Sequence, residues 1–193
     1  MDLTQGTLEE KNNRAKKMML RFGMVALIMS FAGLTSAFIV SSSREDWLKD
    51  FLLPNAFTTS LILFLISSVT FILAKRALKQ NNRSATTVFL LITLGLGIAF
   101  IVYQVIGFNE IVASGYNLTG PTSNVTMSYI YVIAFVHIVH VIAGLICLLV
   151  VIYNHIKQKY SAEKMLGLEL AATFWHFIDL LWVYLFLFLY FMG

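Results

Sequence analysis

Apolar positions along this chain are gathered into long blocks, and polar and charged positions fall mostly in the gaps between them. At 1.5 Å per residue, each block is long enough to cross about 30 Å of hydrocarbon. Five are read directly. Phe22 to Val40 and Asn55 to Ala74 carry no charge, and the second starts just after Pro54, a natural helix-start residue. Ser84 to Phe108 is the third. Ser128 to Asn154 holds two histidines, and Leu170 to Gly193 holds one histidine and one aspartate. The pattern predicts an all-α membrane protein with five transmembrane helices: a polar segment over residues 1–21, then a membrane domain over residues 22–193.

Composition agrees. Of 193 residues 59% are hydrophobic and 12% charged, against about 25% charged in a soluble domain. The first block is full length and follows a polar, amphipathic leader, so it is read as a span and not as a cleaved signal peptide. The single cysteine, Cys147, lies inside the fourth block. It rules out a disulfide framework within one chain and is read as a small packing residue.

Charge changes the picture by giving a direction. Twelve of the fourteen Lys and Arg fall in the N-terminal segment, the second connection and the fourth connection; only Arg44 and Lys49 fall on the other side. Basic residues in short loops stay cytoplasmic, so the N-terminus is expected in the cytoplasm and the C-terminus outside. The net charge of +4 therefore reports topology, and no nucleic-acid partner is expected. The longest connection, Asn109 to Met127, is rich in Gly, Ser, Thr and Asn and reads as a surface loop. Asn117-Leu-Thr and Asn124-Val-Thr match the glycosylation sequon, a weak three-residue signal. No internal repeat is evident, which counts against a transporter.

The chemistry is expected among the intramembrane polar residues, because ionisable groups in hydrocarbon cost several kcal/mol unless paired or hydrated. At about 100° per residue, His137, His140 and Gly144 share one narrow face of the fourth helix, with the glycine allowing a neighbour close. In the fifth, Glu169, Trp175, His176, Asp179 and Trp182 fall within an arc of about 140°. Asp179 lies near 15 Å depth by helical rise, with His140 a little deeper, so a pair between Asp179 and one of His137, His140 or His176 is expected. Glu169 sits at the start of the fifth helix, where the helix dipole favours its charge. The plain reading of this set is structural, polar side chains that orient helices and hold lipid headgroups; carrying protons is the sharper one. Metal or haem ligation is not expected: His137 and His140 stand one turn apart on one helix, whereas haem takes axial ligands on opposite faces. Trp47, Tyr153, Tyr160 and Tyr190 near helix ends read as interfacial anchors.

The run Glu169-Leu170-Ala171-Ala172-Thr173-Phe174-Trp175-His176-Phe177-Ile178-Asp179-Leu180-Leu181-Trp182 resembles the closing helix of cytochrome c oxidase subunit III, in which a glutamate precedes Trp-His-Phe-x-Asp-x-x-Trp. His137-Ile138-Val139-His140-Val141-Ile142-Ala143-Gly144 is similar to the same family's His-x-x-His-Val-x-x-Gly segment. Gln104 and Phe31-Ala32-Gly33-Leu34 are weaker matches. Five spans resemble the short bacterial form, which lacks the two leading helices of the seven-helix subunit. Two departures stand out. The first block has no glutamate where many members carry one, and Gly107 stands where the family has an acidic residue, with Glu110 one turn further on.

The resemblance implies a subunit with no catalytic residues or metal of its own, in the plasma membrane of a bacterial cell. Its partners would be oxidase subunit I, which holds haem and copper, and subunit II. It implies phospholipid bound in a cleft, stabilisation of the catalytic subunit and support of proton uptake while the complex reduces oxygen and pumps protons. By position, His137, His140, Glu169, Trp175, His176, Asp179 and Trp182 are the candidates for the cleft and its polar network. Cytochrome c is the expected donor; a quinol oxidase subunit, a nitric oxide reductase-associated homologue and a small transporter are the alternatives.

Overall fold

The computed structural model describes residues 6–48, 53–117, 120, 123–161 and 164–192. They form five helices: α1 (Leu8–Ser41), α2 (Asn55–Lys79), α3 (Arg83–Ala113), α4 (Val125–Ile156) and α5 (Leu166–Met192). All five are long and apolar enough to cross a membrane. Lys49, the sequon positions Leu118 and Thr119, and Gly193 lie outside the described residues.

The helices overrun the apolar blocks, because a helix ends where its backbone groups find other partners and not where hydropathy falls. Thr7 starts α1 with a reciprocal cap: its Oγ1 accepts from Glu10 N at 3.3 Å, and the Glu10 carboxylate accepts from Thr7 N at 2.9 Å. The polar leader is thus a helical extension of the first span. Between α2 and α3 the chain turns through Asn81, at φ 55°, a left-handed conformation that asparagine tolerates. Asn82 then caps α3 by accepting from Ala85 N at 3.1 Å. Asn124, the second sequon asparagine, is used as a cap: its Oδ1 accepts from Thr126 N at 2.8 Å at the start of α4. The connection from α3 to α4 narrows accordingly to residues 114–124.

The α2–α3 hairpin is the tightest pair of helices, and α5 packs its backbone against α1, α2 and α4. Among the described residues α1 packs its backbone against α4 and α5 and not against α2. Lipid tails are as apolar as the helices, so cohesion comes from close packing and interhelical hydrogen bonds. Phe31, Phe57, Phe64, Phe71, Phe100, Trp175 and Trp182 fill the interior.

Two expectations are corrected here. Trp47 is buried, not an interfacial anchor: its ring meets Phe38 edge-on at 4.7 Å beside Tyr129. Tyr153 and Tyr190 are exposed. Cys147 is exposed as well; it shares the outward face of α4 with Ile146 and Val150 and does not pack in the core.

Candidate functional site in the helix interior

The polar arc of α5 divides in two. Trp175, Asp179 and Trp182 are buried, whereas Glu169 and His176 are half-buried. On the inward half, Trp175 Nε1 donates to Ser67 Oγ of α2 at 3.0 Å, and Ser67 passes its own proton to Phe64 O at 2.7 Å. The Trp175 ring lies edge-on to Phe64 and Phe71. Two glycines make room for it. A Cβ on Gly97 would stand 2.7 Å from Trp175 Cη2, and one on Gly144 would stand 3.3 Å from Trp175 Cε3 and 2.9 Å from Ile178 Cδ1. The close approach expected at Gly144 is present.

Two turns further along α5, Trp182 stacks on His137 of α4, centroids 4.8 Å apart at 24°. Phe31, Phe64 and Phe100 present ring edges to the same imidazole. His137 is fully buried, and neither ring nitrogen has a hydrogen-bond partner among the described residues. His140 turns away: its Nδ1 donates to Val136 O at 2.7 Å along its own helix. Both histidines meet Phe31 edge-on, but only His140 has a hydrogen-bond partner among the described residues.

His176 finds its partner on the facing helix: the Ser68 hydroxyl of α2 hydrogen-bonds His176 Nδ1. No direct bond joins Asp179 to His137, His140 or His176 among the described residues, and Asp179 Oδ1 is buried without a partner there, so the expected pair is not formed. On the other half of the arc, Glu169 lies between Lys17 of α1 at 3.5 Å and Lys75 of α2 at 3.6 Å. One carboxylate therefore ties three helices together where the basic residues gather. Lys164 adds a contact to Glu9 at 4.0 Å.

Beside Glu169, Lys16, Lys79 and Lys159 line a cleft of about 830 Å³ together with Tyr160. An apolar groove of about 510 Å³, lined by Leu20, Ile146, Val150 and Phe174, adjoins it through Tyr160 and Gly167. Burial pushes the Tyr160 phenol above its ordinary range, and a hydrogen bond to Asn154 partly offsets this. Of the seven candidates only Glu169 borders these clefts. Among the described residues no group of three His, Cys, Asp or Glu could hold a metal ion.

The comparisons fit this geometry. The sequence family described as cytochrome c oxidase subunit III matches residues 2–193. The chain belongs to this family. Cytochrome c oxidase subunit 3 of Drosophila yakuba is 30% identical over 203 residues, covering 98% of this chain and 75% of the fly protein. The protein of that name from the bacterium Alkalihalophilus pseudofirmus is 33% identical over 132 residues, covering 68% of this chain and 63% of its own length. The Loxodonta africana protein is 30% identical over 206 residues. As a subunit III family member, the chain is a multi-pass membrane protein whose relatives are named as parts of an oxidoreductase complex.

The residues that complete the subunit III interior were not singled out beforehand. Ser67 and Ser68 stand mid-way along α2, where two adjacent hydroxyls in an apolar run signal partners on a facing helix. Ser60 accepts from Gln104 Nε2 at 3.0 Å, and Thr70 and Thr93 join α2 to α3 at 2.8 Å. His155, the fourth histidine, holds α4 to the start of α3: its Nε2 donates to Arg83 O at 3.3 Å, with Thr87 Oγ1 at 3.1 Å.

Proposed function

We propose that this chain is the non-redox subunit III of a bacterial haem-copper terminal oxidase, seated against subunits I and II in the plasma membrane. It stabilises the catalytic subunit and supports proton uptake, and performs no bond-breaking itself. Haem and copper belong to the partner, and cytochrome c is the donor. The family match along nearly the whole chain carries this reading. The distribution of basic residues supports a cytoplasmic N-terminus and an outward C-terminus, with residues 1–21 on the cytoplasmic side.

Two features support the finer roles. The apolar groove beside α4 and α5 opens onto the lysine-lined cleft, an arrangement that suits the tail and headgroup of a phospholipid. Glu169, His176 and Asp179 follow one another along α5 from the basic end toward mid-helix, with His176 bonded to Ser68, an order that suits proton exchange with the cytoplasmic side. The test is to tag the chain, extract it gently and record both the co-purifying proteins and the reduced-minus-oxidised spectrum. A large haem-bearing partner with oxygen reductase activity is expected, and its donor preference identifies cytochrome c or quinol. A chain that purifies alone and colourless from actively respiring membranes refutes the reading.

A further inference from the structure

All the buried side-chain atoms that lack a hydrogen-bond partner among the described residues belong to four residues: Gln104, His137, Asp179 and Trp182. These are not scattered. Asp179 and Trp182 are one turn apart on α5, and Trp182 stacks on His137. Phe100 touches both rings and lies one turn from Gln104 on α3. On α2, Ser60, which holds Gln104, lies between Phe57, packed on Trp182, and Phe64, packed on His137. The orphans thus belong to one connected set of packed side chains inside the bundle, and each residue is at least nine-tenths buried.

The protein offers them no internal remedy. Ser60 Oγ gives its proton to Phe57 O at 2.7 Å, so it can only accept from Gln104, and turning the amide would leave its nitrogen unpaired instead. The walls around His137 are Phe31, Phe64 and Phe100, which bring no donor or acceptor. The set holds both kinds of group: the Trp182 indole N–H only donates, Gln104 Oε1 only accepts, and a neutral imidazole does one of each. An anion would satisfy only the donors and a cation only the acceptors. Water does both, and buried waters typically make about three bonds to such groups.

We propose that ordered water occupies the interior of the bundle, bound among His137, Trp182, Gln104 and Asp179. The inference does not depend on the role proposed for the chain in proton uptake. It also gives these side chains a reason to be polar: the four form a hydration site spanning α3, α4 and α5.

The test uses the chain in the complex with which it purifies, imaged by cryo-electron microscopy at a resolution that shows ordered water. Discrete water density is expected at about 2.7–3.2 Å from two or more of the orphan atoms. Empty density, or density too large for water, overturns the proposal. Thermal unfolding of His137→Leu gives an independent reading. In a dry site the variant removes two unpaired nitrogens and raises Tm; in a hydrated one it breaks water bridges and lowers Tm by several degrees. If that variant fails to assemble, Trp182→Phe poses the same question with one donor removed, and a raised Tm again overturns the proposal.

Discussion

Gly97→Ala tests whether Trp175 is seated as described. The added methyl would stand 2.7 Å from Trp175 Cη2 and 2.8 Å from Leu145 Cδ2, whereas carbon atoms in contact prefer about 3.5–4.0 Å. Either α3 moves out or the indole yields. Overpacking of this kind costs about 1–3 kcal/mol. If the indole yields, it also loses its bond to Ser67, about 1 kcal/mol more. Alanine returns about 1 kcal/mol of helix propensity over glycine. The balance is a loss of about 1–3 kcal/mol, and for a chain of this size each kcal/mol shifts Tm by about 2–4 °C.

The assay is thermal unfolding in detergent with Gly33→Ala as the paired control. Gly33 also lies in a helix, and nothing stands within 4 Å of its added Cβ, so its variant should keep or slightly raise Tm. A Gly97→Ala protein as stable as the Gly33→Ala protein would show that Trp175 is not packed against α3, and the account of the core would fail with it.

Four further outcomes follow from the same contacts. Ser68→Ala removes the hydroxyl bonded to His176 and should cost about 1–3 kcal/mol, with Ser68→Thr recovering much of it; equal Tm values for all three proteins would refute the bond. A double-mutant cycle of Ser67→Ala with Trp175→Phe should give a coupling of about 0.5–1.5 kcal/mol; purely additive losses would mean that the 3.0 Å bond contributes nothing. Glu169→Gln frees Lys17 and Lys75, and because these groups are partly exposed the loss should be under about 1 kcal/mol and shrink at high salt. Asp46, hydrogen-bonded to Arg44, is held below the ordinary carboxylate range, so its pairing is present above the unfolded value near 3.9 and is lost as pH falls through the lower folded value. Infrared titration should show Arg44→Gln returning Asp46 upward, and an unmoved titration would count against the contact.

The five helices were legible because hydrocarbon imposes a length on apolar runs that no soluble fold requires. Their ends were not, since caps such as Thr7–Glu10 and Asn82–Ala85 act outside the membrane, where hydropathy is silent. Helical rotation correctly put Trp175, Asp179 and Trp182 on one face. It could not say which residue of another helix would reach them, because that depends on relative rotation and height in the packed bundle. Hence the carboxylate was matched with a histidine by depth, whereas in the structure His176 bonds Ser68 and no histidine reaches Asp179 among the described residues. Cys147 was misplaced for a related reason: in a membrane the outward face is as apolar as the inward one, so a small apolar residue gives no sign of which side it takes.

That lesson narrows the functional candidates. A polar residue locked inside a bundle can set geometry, but it exchanges protons or meets a partner only through a neighbour that reaches the surface. Trp175, Trp182 and His137 are buried, and their contacts are those that fix α5 against α2, α3 and α4. His176 and Glu169 instead remain partly open, His176 bonded to α2 and Glu169 paired with lysines of α1 and α2. Asp179 stands between the two groups, since it is buried yet lies one turn from the half-open His176 on α5. If the chain takes part in proton movement, substitutions at His176, Ser68 and Asp179 should alter the pH dependence of oxygen reduction in the assembled complex. Substitutions at Trp175 and Trp182 should lower stability and leave that dependence in place. Equal effects on the pH profile from both groups would mean that the division of the α5 arc has no functional content.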